Sequence, residues 1–434
     1  MVETLDRLLS SLRATCAGLP DKRRGANLSY EMADIGLAAF SAFFMQSPSF
    51  LAHQRHLAQG QGRSNCQTLF AMTKIPSDNH VRAMLDPVAP RHFDPVFGAA
   101  VAELERSGGL AAFRRPGRSD RPGHERVLIA LDGTEYFRSA KLHCPNCSTR
   151  ARGKDKQEYF HAMLAPAMVA PGHNRVVPLE PEFIVPQDGH DKQDCESQAA
   201  QRWLATHGQR YAKLGAVFLG DDLFSRQPTC QAVLAAGGDF LFVCKPDSHT
   251  TLQEYLTGID LPVQAERHKR QRIRYRWLCD VPLRDGKDAL RVNWLAIEIT
   301  NAAGKTTYRN SFVTNLPVDR ATVAELAACG RARWKIENET FNVLKTKGYN
   351  LEHNFGHGKA NLAAVLATLN LLAFACHTVC DLAEALWRRA MTTLGRRTRF
   401  FENLRALTVY LVFPTWDDLL ETLAFARAPP SLPP

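Results

Sequence analysis

Three acidic residues in this chain stand where the backbone beneath them is expected to be held rigid. Asp132 comes directly after the apolar run 127–131 (VLIAL), Asp221 follows 216–220 (AVFLG), and Glu337 lies in 331–345 (RARWKIENETFNVLK), a segment of helical spacing. Short continuous apolar runs that stop at a polar residue read as strands buried on both faces. Carboxylates brought together from separate elements hold hard divalent cations, magnesium or manganese. Two such cations facing a phosphate perform phosphoryl transfer. Any one strand-terminal aspartate is ordinary turn or helix-cap chemistry, so the order and setting of all three carry the argument. The second acid has a competitor, because Asp222 follows Asp221 and successive residues of a strand point to opposite faces.

A second group of residues suits a softer metal. Cys144-Pro-Asn-Cys147 has the knuckle spacing of a zinc half-site, two thiolates where tetrahedral zinc takes four ligands. His143, His161, His190 and Cys195 are candidates to complete a structural site; without them the pair is two buried thiols. Residues 352–358 (EHNFGHG) look ligand-like as well, and read as a polar turn beside the acids or a contact to a polyanion.

The elements that must position these residues follow from periodicity. Residues 1–112 read as an all-α region, with Leu5, Leu8, Leu9 and Leu12 at helical spacing, and 113–125 as a basic linker rich in arginine, proline and glycine. From 126 to 246 the pattern is mixed α/β. Strands are expected at 127–131, 159–169, 183–185, 216–219 and 240–244, with helices at 198–211 and 233–236. Residues 247–315 form a candidate β-rich insertion, with strands at 273–278, 291–299 and 306–314. Helix returns from 321 through 387, so that 316–390 is a second core segment and 391–434 a basic, partly helical tail. The apolar stretch 362–380 approaches membrane length but carries Asn370 and His377, and reads as a buried helix.

Composition narrows the partners. The 434 residues contain 54 Lys plus Arg against 44 Asp plus Glu, a net charge of +10, with the excess clustered in 113–121 (FRRPGRSDR) and 267–276 (RHKRQRIRYR). Clustered basic surface suits a polyanion such as nucleic acid, and Arg270, Arg272 and Arg274 are candidate phosphate contacts. The eleven cysteines lack the compact spacing of a secreted disulfide framework, and the first residues show no signal-peptide core, which points to a reduced, cytoplasmic protein and no membrane. Gly-rich phosphate loops, GxSxG elbows and dinucleotide fingerprints are missing from the sequence.

With the segment 331–345 in place, the chain resembles the DDE transposases of bacterial insertion sequences, in particular the type-four insertion-sequence family, whose helix carries an Arg-Trp-x-Ile-Glu pattern. The resemblance covers roughly residues 126–375: Asp132 in LDGT, Asp221 in FLGDD, Thr314 and Asn315 in FVTNLP, and Glu337 in RWKIE. It implies a ribonuclease-H-like α/β core with a β-rich insertion, preceded by the all-α N-terminal domain. In such a core the first acid ends the first strand, the second ends the fourth, and the third rides a helix after the insertion. The family places its second acid directly after the strand's small residue, here Gly220, which favours Asp221 over Asp222.

The implied catalytic set is Asp132, Asp221 and Glu337 holding magnesium or manganese, with Arg333 and Lys345 toward DNA. On an α-helix, at about 100° per residue, Arg333, Glu337 and Phe341 share one stripe and Glu339 lies about 200° from Glu337. The family's lysine falls seven residues after the acid, where this chain has Leu344; Lys345 comes eight after. The implied activity is cleavage and strand transfer of element ends. Double-stranded terminal repeats and target DNA are the implied partners, and the protein is expected to be a homo-oligomer in the DNA complex. Members with a β insertion cut the second strand through a hairpin in which an aromatic residue holds a flipped base; Trp277 and Trp294 are the candidates. A structure-specific metal nuclease of the same fold, or a DNA-binding protein that has lost catalysis, are the alternatives.

Overall fold

The computed structural model describes residues 3–24, 29–117, 125–153, 156–186 and 194–425. Its strands are β1 (Val127–Ala130), β2 (Gly133–Ser139), β3 (Ser148–Ala151), β4 (Gln157–Leu164), β5 (Ala167–Val169), β6 (Val177–Pro178) and β7 (Glu182–Ile184). They continue with β8 (Ala216–Gly220), β9 (Asp239–Val243), β10 (Val263–His268), β11 (Gln271–Pro282), β12 (Arg291–Thr300) and β13 (Thr306–Thr314). The larger sheet has the order β10-β11-β12-β13-β9-β8-β1-β5-β6, and a smaller one the order β2-β4-β3 with β7 beside β4. β1, β8 and β9 are parallel neighbours, and the remaining pairs are antiparallel. Every residue of β1 and β8 is buried, which is why both runs are apolar without alternation.

β1 ends just before Asp132, as expected, and β2 begins just after it. Ala130 pairs with Ala167 in the larger sheet and Gly133 with Leu164 in the smaller one, and between them the Ala165 N–H donates to the Asp132 carbonyl at 3.0 Å. The register is the same on both sides, so one antiparallel ladder runs through both sheets and Asp132 marks the crossing. The strand expected over 159–169 divides at the same level into β4 and β5.

The first 113 residues hold only helices among those described: α1 (Glu3–Ala17), α2 (Met32–Phe44), α3 (Phe50–Ala58), α4 (Gly62–Phe70), α5 (Asp78–Leu85) and α6 (Asp94–Arg106), with short 3-10 turns at Pro90–Phe93 and Gly109–Phe113. All four leucines of the α1 stripe are buried. Further helices are α7 (Glu196–Trp203), α8 (Gln209–Ala212), α9 (Gln227–Ala235), α10 (Thr250–Leu256), α11 (Val323–Ala332), α12 (Asn342–Thr346), α13 (Leu362–Ala383), α14 (Ala385–Leu394), α15 (Arg397–Tyr410) and α16 (Trp416–Ala424). α2 and α13 are the apolar axis on which α1 and α6 pack.

α13 is the one helix among the described residues long and apolar enough to cross a membrane, and it is largely buried inside the fold. Asn370 donates to the Tyr349 carbonyl at 2.8 Å, and His377 Nδ1 lies 2.7 Å from the Tyr349 hydroxyl.

The strands of 247–315 form, as β10, β11, β12 and β13, and β13 pairs with β9, so they extend the larger sheet. One expectation needs correction. The helix expected from 321 through 387 is interrupted: helical structure ends at Thr346 and resumes at Leu362. Gly348, two residues past the end of α12, takes a positive φ of 94°, which favours glycine and does not continue a helix.

Candidate active site

Asp132 and Glu337, 205 positions apart in sequence, are joined by one side chain. The Arg333 guanidinium places Nη1 3.2 Å from Asp132 Oδ2 and Nη2 3.0 Å from Glu337 Oε1. The second oxygen of Glu337 accepts from the indole N–H of Trp334 at 3.0 Å, and Asp132 Oδ1 accepts from the Gly133 N–H at 2.9 Å. The Asp132 side chain is only 15% exposed. Burial pushes its carboxyl up to about 7; Arg333 works against this, while the charges of Glu196 and Glu337 add to it.

Asp221 and Asp222 part company in the turn just after β8. Asp222 turns to the segment after β9, where Oδ1 accepts from the Lys245 N–H at 2.5 Å and the Ser248 hydroxyl at 2.6 Å. Asp221 Oδ1 accepts only the local Leu223 N–H, at 2.8 Å, and its charge acts on Glu196. β8 is the parallel neighbour of β1, with Leu219 beside Ala130, so Asp221 and Asp132 leave adjacent strands at the same edge.

Glu196 is a fourth acid that sequence reasoning missed. It opens α7, and its carboxyl is held above the ordinary range by burial and then by the charge of Asp221. A Cβ added at Gly133 would stand 2.2 Å from Glu196 Oε1, so the glycine of LDGT is what lets this carboxylate come up beside Asp132. An acid in the first turn of a helix is unremarkable from sequence, since the helix dipole favours it anyway.

The segment carrying Glu337 is not a plain α-helix. Residues Ile336–Phe341 form a π-turn between α11 and α12. Such a turn accommodates one extra residue, so a residue eight positions on takes the angular place that seven would give on an α-helix. This accounts for the offset of Lys345. Leu344, at the family's lysine position, is buried, whereas Lys345 lines a groove with Gly133, Thr134, Glu196 and Phe341 and pairs with Glu352 at 3.0 Å. Glu339 makes none of the contacts that hold Glu337.

The other expected residues are dispersed. Arg270 stands in the turn between β10 and β11, and Arg272 and Arg274 follow on β11; all three are exposed at the far edge of the larger sheet. Trp277 and Trp294 are both buried, on opposite faces of the sheet, since Trp277 pairs with Leu295 and Trp294 with Leu278. The exposed tryptophan is Trp334, 60% exposed beside Glu337.

Cys144 and Cys147 lie on the turn between β2 and β3, facing His161 on β4 and His357. His143 is exposed and stacks on Tyr159, Cys195 is exposed in the groove beside Glu196, and His190 lies outside the described residues.

The charges that act on Asp132, besides its burial, are the carboxylates of Glu196 and Glu337 and the Arg333 guanidinium between Asp132 and Glu337, and carboxylate oxygens are the donors that hard divalent cations take. Residues 126–375 match the family model described as the transposase DDE domain. No curated protein matches the chain.

Proposed function

The chain belongs to the transposase DDE domain family, and from that premise we propose that it is an insertion-sequence transposase that cuts and rejoins DNA at Asp132, Asp221 and Glu337 with two magnesium or manganese ions. The observation that carries this is the Arg333 guanidinium held between Asp132 and Glu337, a cation already placed where acids from the first strand and the late helical segment meet. A ribonuclease-H-like core is supported by the order β6-β5-β1-β8-β9, in which the first strand lies between an antiparallel meander and two parallel strands.

When bound, the cations would activate the attacking water or 3′-hydroxyl and stabilise the leaving oxygen. Asp132, Asp221 and Glu337 would hold them, and Glu196 adds a carboxylate at the same edge. Arg333 orients Asp132 and Glu337 and keeps their charges in check. Lys345, exchanging Glu352 for a phosphate, would seat the DNA backbone along the groove that passes Gly133 and Glu196. The Arg270, Arg272 and Arg274 edge and the helical region 1–112 supply further phosphate contacts and end recognition, in a homo-oligomer acting on double-stranded DNA. All eleven cysteines are free, in keeping with a reduced cytoplasmic setting.

The test uses the genomic DNA flanking the gene, whose inverted repeats are the expected substrate. Purified protein with magnesium should release fragments with 3′-hydroxyl ends and join them to a target plasmid. Cleavage without joining would favour a nuclease of the same fold. Binding without either product would favour a protein that has lost catalysis.

A further inference from the structure

We propose that Cys144, Cys147, His161 and His357 form a closed tetrahedral zinc site that straps the segment following Glu337 to the sheet following Asp132. The four ligand atoms lie within 4.8 Å of one another. The two sulfurs are 3.9 Å apart, and Nε2 of His161 is 3.5 Å from Cys144 Sγ and 3.4 Å from Cys147 Sγ. Nε2 of His357 is 3.4 Å from Cys147 Sγ and 3.2 Å from Nε2 of His161. With zinc–sulfur bonds of about 2.3 Å and zinc–nitrogen bonds of about 2.05 Å, a regular tetrahedron has edges of about 3.8 Å between sulfurs, about 3.6 Å from sulfur to nitrogen and about 3.3 Å between nitrogens. The five contacts agree with those edges.

The chemistry of the donors agrees as well. Both histidines present the same ring nitrogen to the centre. His357 Nδ1 lies 3.0 Å from the Gly358 carbonyl, which can only accept, so Nδ1 carries the proton and Nε2 offers its lone pair. Two thiols and two imidazoles select zinc over magnesium, and four protein ligands leave no position for a substrate, which makes the site structural. Cys144, Cys147 and His161 are buried and His357 half-buried, with Phe137 packed on the His357 ring. The cysteine turn is a knuckle: the Cys147 N–H donates to the Cys144 carbonyl at 3.1 Å and the Cys144 N–H to Cys147 Sγ at 3.4 Å.

His357 reaches this centre from a loop fixed on its other side. Arg82 donates to the Phe355 carbonyl at 3.0 Å, and the Asp86 carboxylate accepts from the Lys359 and Ala360 N–H groups, each at 3.0 Å. Gly358, at φ +71°, passes so near that a Cβ there would come within 2.3 Å of Asp86. Asn146, between the two cysteines, donates to the Ala360 carbonyl at 2.9 Å. The ion would therefore close a strap between the sheet that begins one residue after Asp132 and the loop that follows the Glu337 segment. It would act on the geometry of the acids without touching DNA, and it stands whether or not the chain is a transposase.

The test is elemental analysis of the full chain purified without chelator, with cobalt(II) substitution as a second readout. Wild-type protein should carry about one zinc per chain. Asp132→Asn, His143→Ala and Cys195→Ser should keep it, and Cys144→Ser and His357→Ala should lose it. The cobalt form should show thiolate charge-transfer bands and tetrahedral d–d absorption, with faster amide exchange over 353–358 when the metal is removed. If the ligand variants fail to fold, wild-type stoichiometry and the cobalt spectrum still decide. A folded wild-type protein free of zinc, an octahedral cobalt spectrum, or zinc lost with Asp132→Asn would each overturn the proposal.

Discussion

Replacing Asp132 by asparagine should stabilise the magnesium-free protein, and by an amount that depends on pH. The folded carboxyl titrates at about 7, whereas in the unfolded chain an aspartate titrates near its ordinary 3.8. Below about pH 4 both states hold the proton and the group contributes nothing. As pH rises toward 7 the unfolded chain releases its proton while the folded one keeps it, so stability falls; above 7 the whole penalty is present. About three pH units at ~1.36 kcal/mol each gives ~4 kcal/mol. That shift already includes the opposing pull of Arg333, which keeps Glu337 as its partner in the variant, so the expected gain stays at ~4 kcal/mol. For 434 residues the entropy of unfolding is ~0.9 kcal/mol/K, so the melting temperature should rise by ~4 °C at pH 8 and by only ~1 °C at pH 4.5. Thermal melts of wild type and Asp132→Asn, dialysed free of magnesium and manganese, measure this directly. Magnesium should then raise the wild-type melting temperature at pH 8 and leave the variant unchanged. If Asp132→Asn instead destabilises the protein equally at both pH values, the ion pair with Arg333 outweighs burial and the reasoning fails.

Glu196→Gln should lower cleavage at least tenfold with little change in DNA binding, and should shift the pH–rate profile toward acid, because a like charge near Asp132 is gone; an unaltered profile would place Glu196 outside the site. Arg272→Ala combined with Arg274→Ala should reduce the slope of log affinity against log salt by about 1.8, the release expected for two phosphates. An unchanged slope would remove that sheet edge from the DNA interface. Asp222→Ala should cost ~1–3 kcal/mol of stability through the lost bonds to Lys245 and Ser248, while cleavage at permissive temperature persists.

The strands that present Asp132 and Asp221 were readable because burial on both faces leaves an unbroken apolar run. Helical leucine spacing likewise exposed α1, and turn signals separated β11, β12 and β13. The continuation of β1 into β2 was not readable, since Gly133–Ser139 mixes buried and exposed positions beside a sheet edge that the sequence does not announce. The π-turn at Glu337 leaves no trace in residue types; it shows only as the displaced Lys345. Trp277 and Trp294 were ambiguous because aromatic residues are equally at home in a strand core. His357 reaches Cys147 across 210 positions, a distance at which spacing rules for zinc ligands have nothing to say. Glu196 was hidden for the opposite reason, as an acid at a helix start where acids are common.

The claim on which the rest depends is that three particular carboxylates do the cutting. Asp132→Asn, Asp221→Asn and Glu337→Gln keep side-chain shape and remove charge, with Asp222→Asn and Glu339→Gln as neighbours one and two residues away. Cleavage of end-containing DNA in magnesium, measured alongside DNA affinity, should be abolished in the first three, with affinity within about tenfold of wild type, and retained in the last two. Cleavage by Glu337→Gln, or loss of cleavage in Asp222→Asn with survival in Asp221→Asn, would contradict the account.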